Sequence, residues 1–312
     1  MTARTWTQTE LLHELEPSVA AELNRHLAVA KEWMPHEYVP WSLGRDYDGP
    51  LNGTPWQESQ SAMSEVARTA LVVNLLTEDN LPSYHREIYT AFGPDGAWGT
   101  WVGRWTAEEG RHATAIRDYL LTTRAVDPVA LERERMGHMA RGHAFAEELD
   151  MLHTVAYVSF QELATRISHR NTGRYTQNPL CEQLLARISL DENLHMVFYR
   201  NLLAAALELS PDQTVQAVWA VVENFEMPGY GMESFGRRSL DIALAGIYDL
   251  RSHRDEVLEP VLKYWKVFDL EGLGGEAERA RESLAAFLDD LDRKADRFED
   301  KRDTLLARRR RG

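Results

Sequence analysis

The sequence has one cysteine, Cys181, which excludes an internal disulfide and suits a reducing compartment. It has no long apolar run: the longest, TALVVNLL at 69–76, contains an asparagine and falls far short of the roughly 20 residues a membrane-spanning helix needs. The opening MTARTWTQTELLHELEP holds no apolar signal segment, so a cytoplasmic protein without membrane insertion is expected. Positive charge is scarce. A formal net charge of −14 repels phosphate backbones and anionic headgroups alike, so no nucleic-acid partner is expected. Arg308 to Arg311 are the exception, read as a solvated tail. Alternating strand patterns are also missing, which leaves an all-α chain.

What the chain does have is helical periodicity throughout. It reads as one domain, 1–312, with a core bundle at about 58–208, N-terminal helices and a loop at 1–57, and C-terminal helices at 209–312. Short helices are expected at 7–15 and 18–32, divided at Pro17, before a Pro/Gly-rich loop with aromatic anchors at 34–56. Long helices follow at 58–92, 97–123, 127–142, 148–168 and 178–208, the first kinked or broken at Pro82. Shorter helices at 211–226, 234–250 and 253–266 lead to a charged one at 275–308, read as solvated or dimer-flanking.

Composition alone gives roughly two acid-x-x-His pairs for 49 acidic residues and 11 histidines in 312, and the chain has Glu10/His13, Glu109/His112, Asp150/His153 and Glu192/His195. A single pair therefore carries no weight. Two of them share a second regularity, because Glu78 precedes Glu109 by 31 residues and Glu162 precedes Glu192 by 30. Each half of the chain thus reads as a helix with one inward glutamate, a turn, and a helix with Glu-x-x-His. Positions i and i+3 share a helix face, so a carboxylate and an imidazole can reach one ion. Two Glu helices and two Glu-x-x-His helices form the ligand pattern of ferritin-like di-iron and di-manganese carboxylate bundles. Four glutamates would neutralise two divalent ions, and without metal they would have to take up protons or destabilise the fold. Trp105 and Ile116 share the face of Glu109, and Ile188 and Tyr199 that of Glu192, so the pairs face an apolar interior. Glu108 and Asp191 precede the motif glutamates, each placed to accept the free N–H of the histidine across the bundle.

On these residues the chain resembles the soluble acyl-acyl-carrier-protein desaturases, the group that includes plant stearoyl enzymes and bacterial relatives. TEDNLPSY, RWTAEEGRH, SFQELATRISHRNT, DENLH and YWKVFDLEGL match family blocks in order, over about residues 30–275. The resemblance implies a ferritin-like four-helix di-iron bundle elaborated with additional helices. It implies two iron ions, with Glu78 and His112 as terminal ligands of one, Glu162 and His195 of the other, and Glu109 and Glu192 bridging. Thr165 matches a threonine beside the oxygen pocket, and Trp33 a tryptophan linked through Asp191 to His112 on an electron path.

The activity so implied is dioxygen-dependent introduction of a cis double bond into an acyl chain carried by acyl carrier protein, with two electrons from ferredoxin or a similar donor, in a homodimer. The chain also departs from the family. Asn193 and Leu194 stand where plant enzymes have basic residues, and Glu87, Tyr89 and Val155 differ at channel positions, so docking mode and chain-length preference do not transfer. Arg166, Arg170 and Arg174 are the candidates for a local basic patch facing the acidic carrier. The same ligands also admit a related di-iron oxygenase that hydroxylates or N-oxygenates a carrier-tethered substrate, and a ferritin-like metal-storage or scaffold protein.

Overall fold

A computed structural model describes residues 4–142, 150–227, 229 and 231–309. Its α-helices are α1 Gln8–Val29, α2 Glu65–Asp79, α3 Leu81–Phe92, α4 Gly96–Thr122, α5 Pro128–Arg141, α6 Met151–Tyr175, α7 Pro179–Leu209, α8 Pro211–Glu223, α9 Phe235–Leu244, α10 Leu250–Ser252, α11 Glu259–Trp265 and α12 Gly275–Arg309. No strand occurs among the described residues beyond an isolated bridge between Tyr47 and Thr54. The fold is all-α and ferritin-like: α2, α4, α6 and α7 pack in a ring, with α1 laid across α4 and α7. Among the described residues, no helix is long and apolar enough to cross a membrane.

Local signals set the helix ends. Ser64, Asp127, Asp150 and Asn178 accept hydrogen bonds from the first free N–H groups of α2, α5, α6 and α7, as capping residues do. Proline opens α5, α7 and α8, where its missing N–H costs nothing. The break expected at Pro82 falls at Asn80, and Pro82 lies in the first turn of α3. Pro17 does not divide the first segment, which runs as one helix through it. A continuous stripe of Leu11, Leu15, Val19, Leu23 and His26, all buried, holds that helix on the bundle, and its packing outweighs the proline penalty.

The charged helix α12 is less solvated than its composition suggests. Ala277, Ala280, Leu284, Leu288, Leu291 and Ala295 form a buried stripe, and the helix packs on α8. Its acids have partners: Arg251 meets Asp292, Asp296 and Glu299, and Arg302 meets Asp249. Arg308 is exposed; Arg310 and Arg311 lie outside the described residues.

The loop at 34–56 is pinned by Arg124, just past the C-terminus of α4. Its guanidinium donates to Gln60 Oε1 at 2.9 Å and to the carbonyl oxygens of Arg45, Asp46, Thr54 and Pro55 at 2.8–3.4 Å, over the ring of Tyr47. Trp56 Nε1 donates to the Arg124 carbonyl and the Tyr47 hydroxyl to that of Leu121, so the aromatic anchors expected there are present. Arg124→Ala strips several buried carbonyls of their donor and should cost about 3–5 kcal/mol, measurable as a lower urea midpoint at unchanged slope.

Candidate metal centre

The ring of four helices brings the two halves of the sequence repeat face to face. Glu78 comes from α2, Glu109 and His112 from α4, Glu162 from α6, and Glu192 and His195 from α7. All six are buried, between 0% and 6% exposed. Their helices are apolar on the same face: Ile116 and Tyr119 flank the pair on α4, Ile188 and Tyr199 that on α7. Carboxylates and imidazoles packed this way cannot be solvated, so they must satisfy one another or a common ion.

The ligand atoms fall into two overlapping groups. Glu78, Glu109, His112 and Glu192 form one; Glu109, Glu162, Glu192 and His195 form the other; in each, one N or O atom per residue lies within 4.8 Å of all the rest. Glu109 and Glu192 belong to both. Glu109 shows how: its Oε2 lies 3.2 Å from His112 Nδ1 and its Oε1 2.7 Å from His195 Nδ1. Glu192 Oε1 lies 3.2 Å from His112 Nδ1, and Glu78 Oε2 and Glu162 Oε2 close the two ends at 3.7 and 3.6 Å from the respective imidazoles. Glu109 Oε1, Glu162 Oε2, Glu192 Oε1 and His195 Nδ1 are buried yet make no well-formed hydrogen bond. They point at shared space and not properly at each other, which is what a metal ion between them requires. The donor set of carboxylate oxygen and imidazole nitrogen suits first-row divalent ions, and a carboxylate split between two groups can bridge a pair.

Outside this centre each histidine is held by the acid next to the opposite motif. Asp191 of α7 accepts from His112 Nε2 at 3.4 Å, and Glu108 of α4 accepts from His195 Nε2 at 2.9 Å. That fixes the tautomer and leaves both Nδ1 atoms facing inward. Trp33 Nε1 donates to Asp191 Oδ2 at 2.6 Å, and the indole stacks 6.3 Å from the His112 ring. Arg187 pairs with Asp191 and Arg104 with Glu108, while Arg111 reaches both at 3.3 and 3.8 Å. Thr165, one turn past Glu162, donates to Glu192 Oε2 at 3.1 Å or to carbonyls of its own helix.

Two buried histidines escaped the sequence reading. His169 Nε2 donates to Glu78 Oε1 at 2.8 Å; it lies two turns beyond Glu162 on the same face, a spacing that could have revealed it. His26 Nε2 meets Glu108 Oε2 at 2.9 Å, so Glu108 joins His26 to His195 in a third converging group. That group offers three ligands, and its imidazole nitrogens already share one carboxylate oxygen, so it reads as a hydrogen-bonded relay. In the sequence His26 is only the last member of the α1 stripe, with nothing to mark its partner. Trp105, noted only as an apolar neighbour, donates its Nε1 to Glu162 Oε1 at 2.9 Å. The other two acid-x-x-His pairs do other work: Glu10 completes a capping box with Thr7, and Asp150 caps α6 and pairs with a partly exposed His153.

A cavity of ≈ 80 Å³ adjoins the cluster. Thr77, Thr165 and His169 form its inner wall; Val73, Met227 and Phe235 are among the apolar residues facing them. Of the altered channel positions, Val155 is buried, whereas Tyr89 is 44% exposed; neither they nor Glu87 line this cavity.

The electrostatics follow from burial. Burial pushes Glu162 well above the usual carboxylate range, helped by the charges of Glu109 and Glu192, and burial with the Glu192 charge raises Glu109. Burial acts the same way on Glu78, Glu108, Glu192 and Asp191, joined at Glu192 by the charge of Glu78, but the closely placed histidines outweigh it and leave all four lowered. His112 and His195 are lifted well above the ordinary imidazole value: burial opposes this, but their carboxylate neighbours prevail. The metal-free cluster is therefore held together by protons. Groups with raised folded pKa stabilise the fold at low pH and lose that contribution as pH rises through the folded value. A metal must displace these protons, so its uptake should release protons and tighten as pH rises. Indicator-dye proton release during metal titration checks this, and melting of chelator-treated protein should show stability falling as pH rises above the free imidazole value, where the lowered carboxylates are ionised in folded and unfolded chain alike.

Comparison with known proteins places these residues in context. A family model described as fatty acid desaturase matches residues 7–311. DesA1 of Mycobacterium tuberculosis strain H37Rv, which carries an acyl-acyl-carrier-protein desaturase name, is 51% identical over 97% of this chain and 91% of its own length. The chloroplastic acyl-acyl-carrier-protein desaturase 7 of Oryza sativa subsp. indica is 30% identical over 94% of this chain and 76% of that protein. Among solved structures, DesA2 from Mycobacterium tuberculosis H37Rv superposes with a TM-score of 0.69 at 30% identity, covering 86% of this chain and 98% of that one. With a match spanning nearly its whole length, the chain belongs to the fatty acid desaturase family.

Proposed function

We propose that this protein is an acyl-acyl-carrier-protein desaturase, an oxidoreductase that removes two hydrogens from adjacent carbons of a carrier-bound acyl chain at a pair of iron ions. The observation that carries the reading is the convergence of six buried side chains into two groups sharing Glu109 and Glu192. Relatives named for this activity, at up to 51% identity over nearly all of the chain, support it.

On this reading Glu78 and His112 would hold one iron, Glu162 and His195 the other, and Glu109 and Glu192 would be shared. Two ferrous ions so held would supply dioxygen activation, the oxidising power that unactivated C–H bonds require. The chain's own contribution is positional. Asp191 and Glu108 keep the two imidazoles aimed inward. The Thr165 hydroxyl, in contact with Glu192 and lining the cavity, can hold a proton at the boundary between cluster and substrate. Val73, Met227, Phe235 and Ile242 give the cavity an apolar wall, suited to an alkyl chain, which excludes water and holds one C–C bond near the centre. Trp33, bonded to Asp191 and stacked on His112, offers an electron path from ferredoxin or a similar donor. The acyl carrier protein is the expected substrate carrier, Arg166, Arg170 and Arg174 are candidate contacts for it, and a homodimer is the expected assembly.

Iron quantification with a single-turnover assay on a series of acyl-carrier-protein chain lengths tests the proposal. The product should lack two hydrogens; a gain of oxygen would instead identify a hydroxylase. Glu109→Ala and Glu192→Ala should each weaken iron binding by more than about 100-fold and abolish turnover. Asp150→Ala should cost about 1 kcal/mol of stability, Glu10→Ala should loosen the start of α1, and both should keep iron and activity. Iron loss in the capping variants comparable to that in the cluster variants would sink the assignment.

A further inference from the structure

Five of the six residues of the metal centre lie at least ten residues from either end of their helices. Glu78 is the exception. It is the last residue but one of α2, which stops at Asp79, and the chain breaks at Asn80 before α3 begins. A helix ends on carbonyls that have no intrahelical partner, so its last turn frays unless something holds it. Charge works against this turn as well. The carboxylates of Glu78 and Asp79 stand at the negative end of the helix dipole, 5% and 6% exposed. The hydrogen bond from His169 holds only the tip of the Glu78 side chain, which leaves the backbone beneath it to be held from elsewhere.

Helix α5 supplies that hold. The Arg135 guanidinium forks onto the Asp79 carboxylate, with Nη2 donating to Oδ1 at 2.7 Å and Nε donating to Oδ2. Two parallel hydrogen bonds between planar ions fix orientation as well as distance, which a single contact does not. Arg135 Nη1 donates to Glu132 Oε2 at 2.9 Å, and Arg117 of α4 reaches the same Glu132 at 3.6 Å. One turn further along α5, the buried His138 ring lies against the backbone at Leu76. The contacts therefore run from the helix that bears Glu78, through α5, to the helix that bears His112. Those two ligands belong to the same half of the centre. Glu162 and His195 stand on α6 and α7, outside this line of contacts.

We propose that Arg135 is a positioning residue for one half of the metal centre: through Asp79 it fixes the last turn of α2, and so places the Glu78 carboxylate for the ion it would share with His112. The proposal rests on the di-iron reading above. Its consequence is asymmetry. Glu78 takes no part in the crossed contacts by which Glu108 and Asp191 aim the imidazoles, so loosening it leaves Glu109, Glu162, Glu192 and His195 in place. Lysine replaces Arg135 only in part, because an ammonium is a point charge and cannot make the two-point contact.

The test follows iron in full-length, iron-loaded protein competed with a ferrous chelator in the absence of oxygen. In Arg135→Met, iron at the Glu78 and His112 position should bind about 10-fold more weakly than in the wild type, with little change at the other position. Anomalous-scattering maps of crystals soaked at an intermediate chelator concentration show which position has emptied. Arg135→Lys should fall between the two. Asp79→Asn keeps the shape of the side chain and one acceptor oxygen; it should show the same asymmetry to a lesser degree, and it serves if Arg135→Met does not fold. Arg238→Met removes a different tie on α5, the 2.5 Å ion pair with Glu134, and should bind iron as the wild type does. Simple destabilisation would release both irons together, so equal loss from the two positions overturns the proposal. Full retention at the Glu78 position in both Arg135→Met and Asp79→Asn overturns it too. Wild-type protein that takes up no iron at either position would instead overturn the di-iron reading beneath it.

Discussion

Everything in this molecule is organised around keeping four glutamates together where water cannot reach them. Like charges at a few ångströms in a dry interior are among the most unfavourable arrangements a fold can contain. Here they are tolerated because two imidazoles stand between them and because protons, or ions, make up the balance. The ring of α2, α4, α6 and α7 is stable as a container only when its charge is compensated, and the apolar residues around it make that compensation obligatory.

The outer layer answers a second demand. A buried imidazole must be told which nitrogen to protonate, and here Glu108 and Asp191 do so. Those acids are themselves costly, and three arginines and an indole offset them. Charge thus alternates outward from the centre: carboxylate, imidazole, carboxylate, guanidinium. Each layer is required by the one inside it, and the last reaches solvent, where hydration completes the neutralisation.

The inner layer was legible in the sequence because it repeats. Glu78 with Glu109-x-x-His112, and Glu162 with Glu192-x-x-His195, stand out against composition only as a matched pair of pairs, and the crossing of Glu108 and Asp191 follows from helices that face each other. His26 was not legible. A lone histidine at the end of an apolar stripe carries no sign of its partner, and α1 was expected to stop at Pro17, which would have placed His26 on a separate element. The role of α12 was hidden for the opposite reason: dense charge on its exposed face masked the alanine and leucine stripe beneath. Arg124 was invisible because its work is done on backbone carbonyls, which every residue has.

The crossing of the outer acids has a further consequence. His112 belongs to one half of the repeat but takes its orientation from Asp191 in the other, and His195 takes its own from Glu108 in the first. Neither half can be distorted without loosening the imidazole that serves its neighbour. With Glu109 and Glu192 also common to both groups, the two halves of the cluster are tied into a single unit whose geometry is kept or lost together.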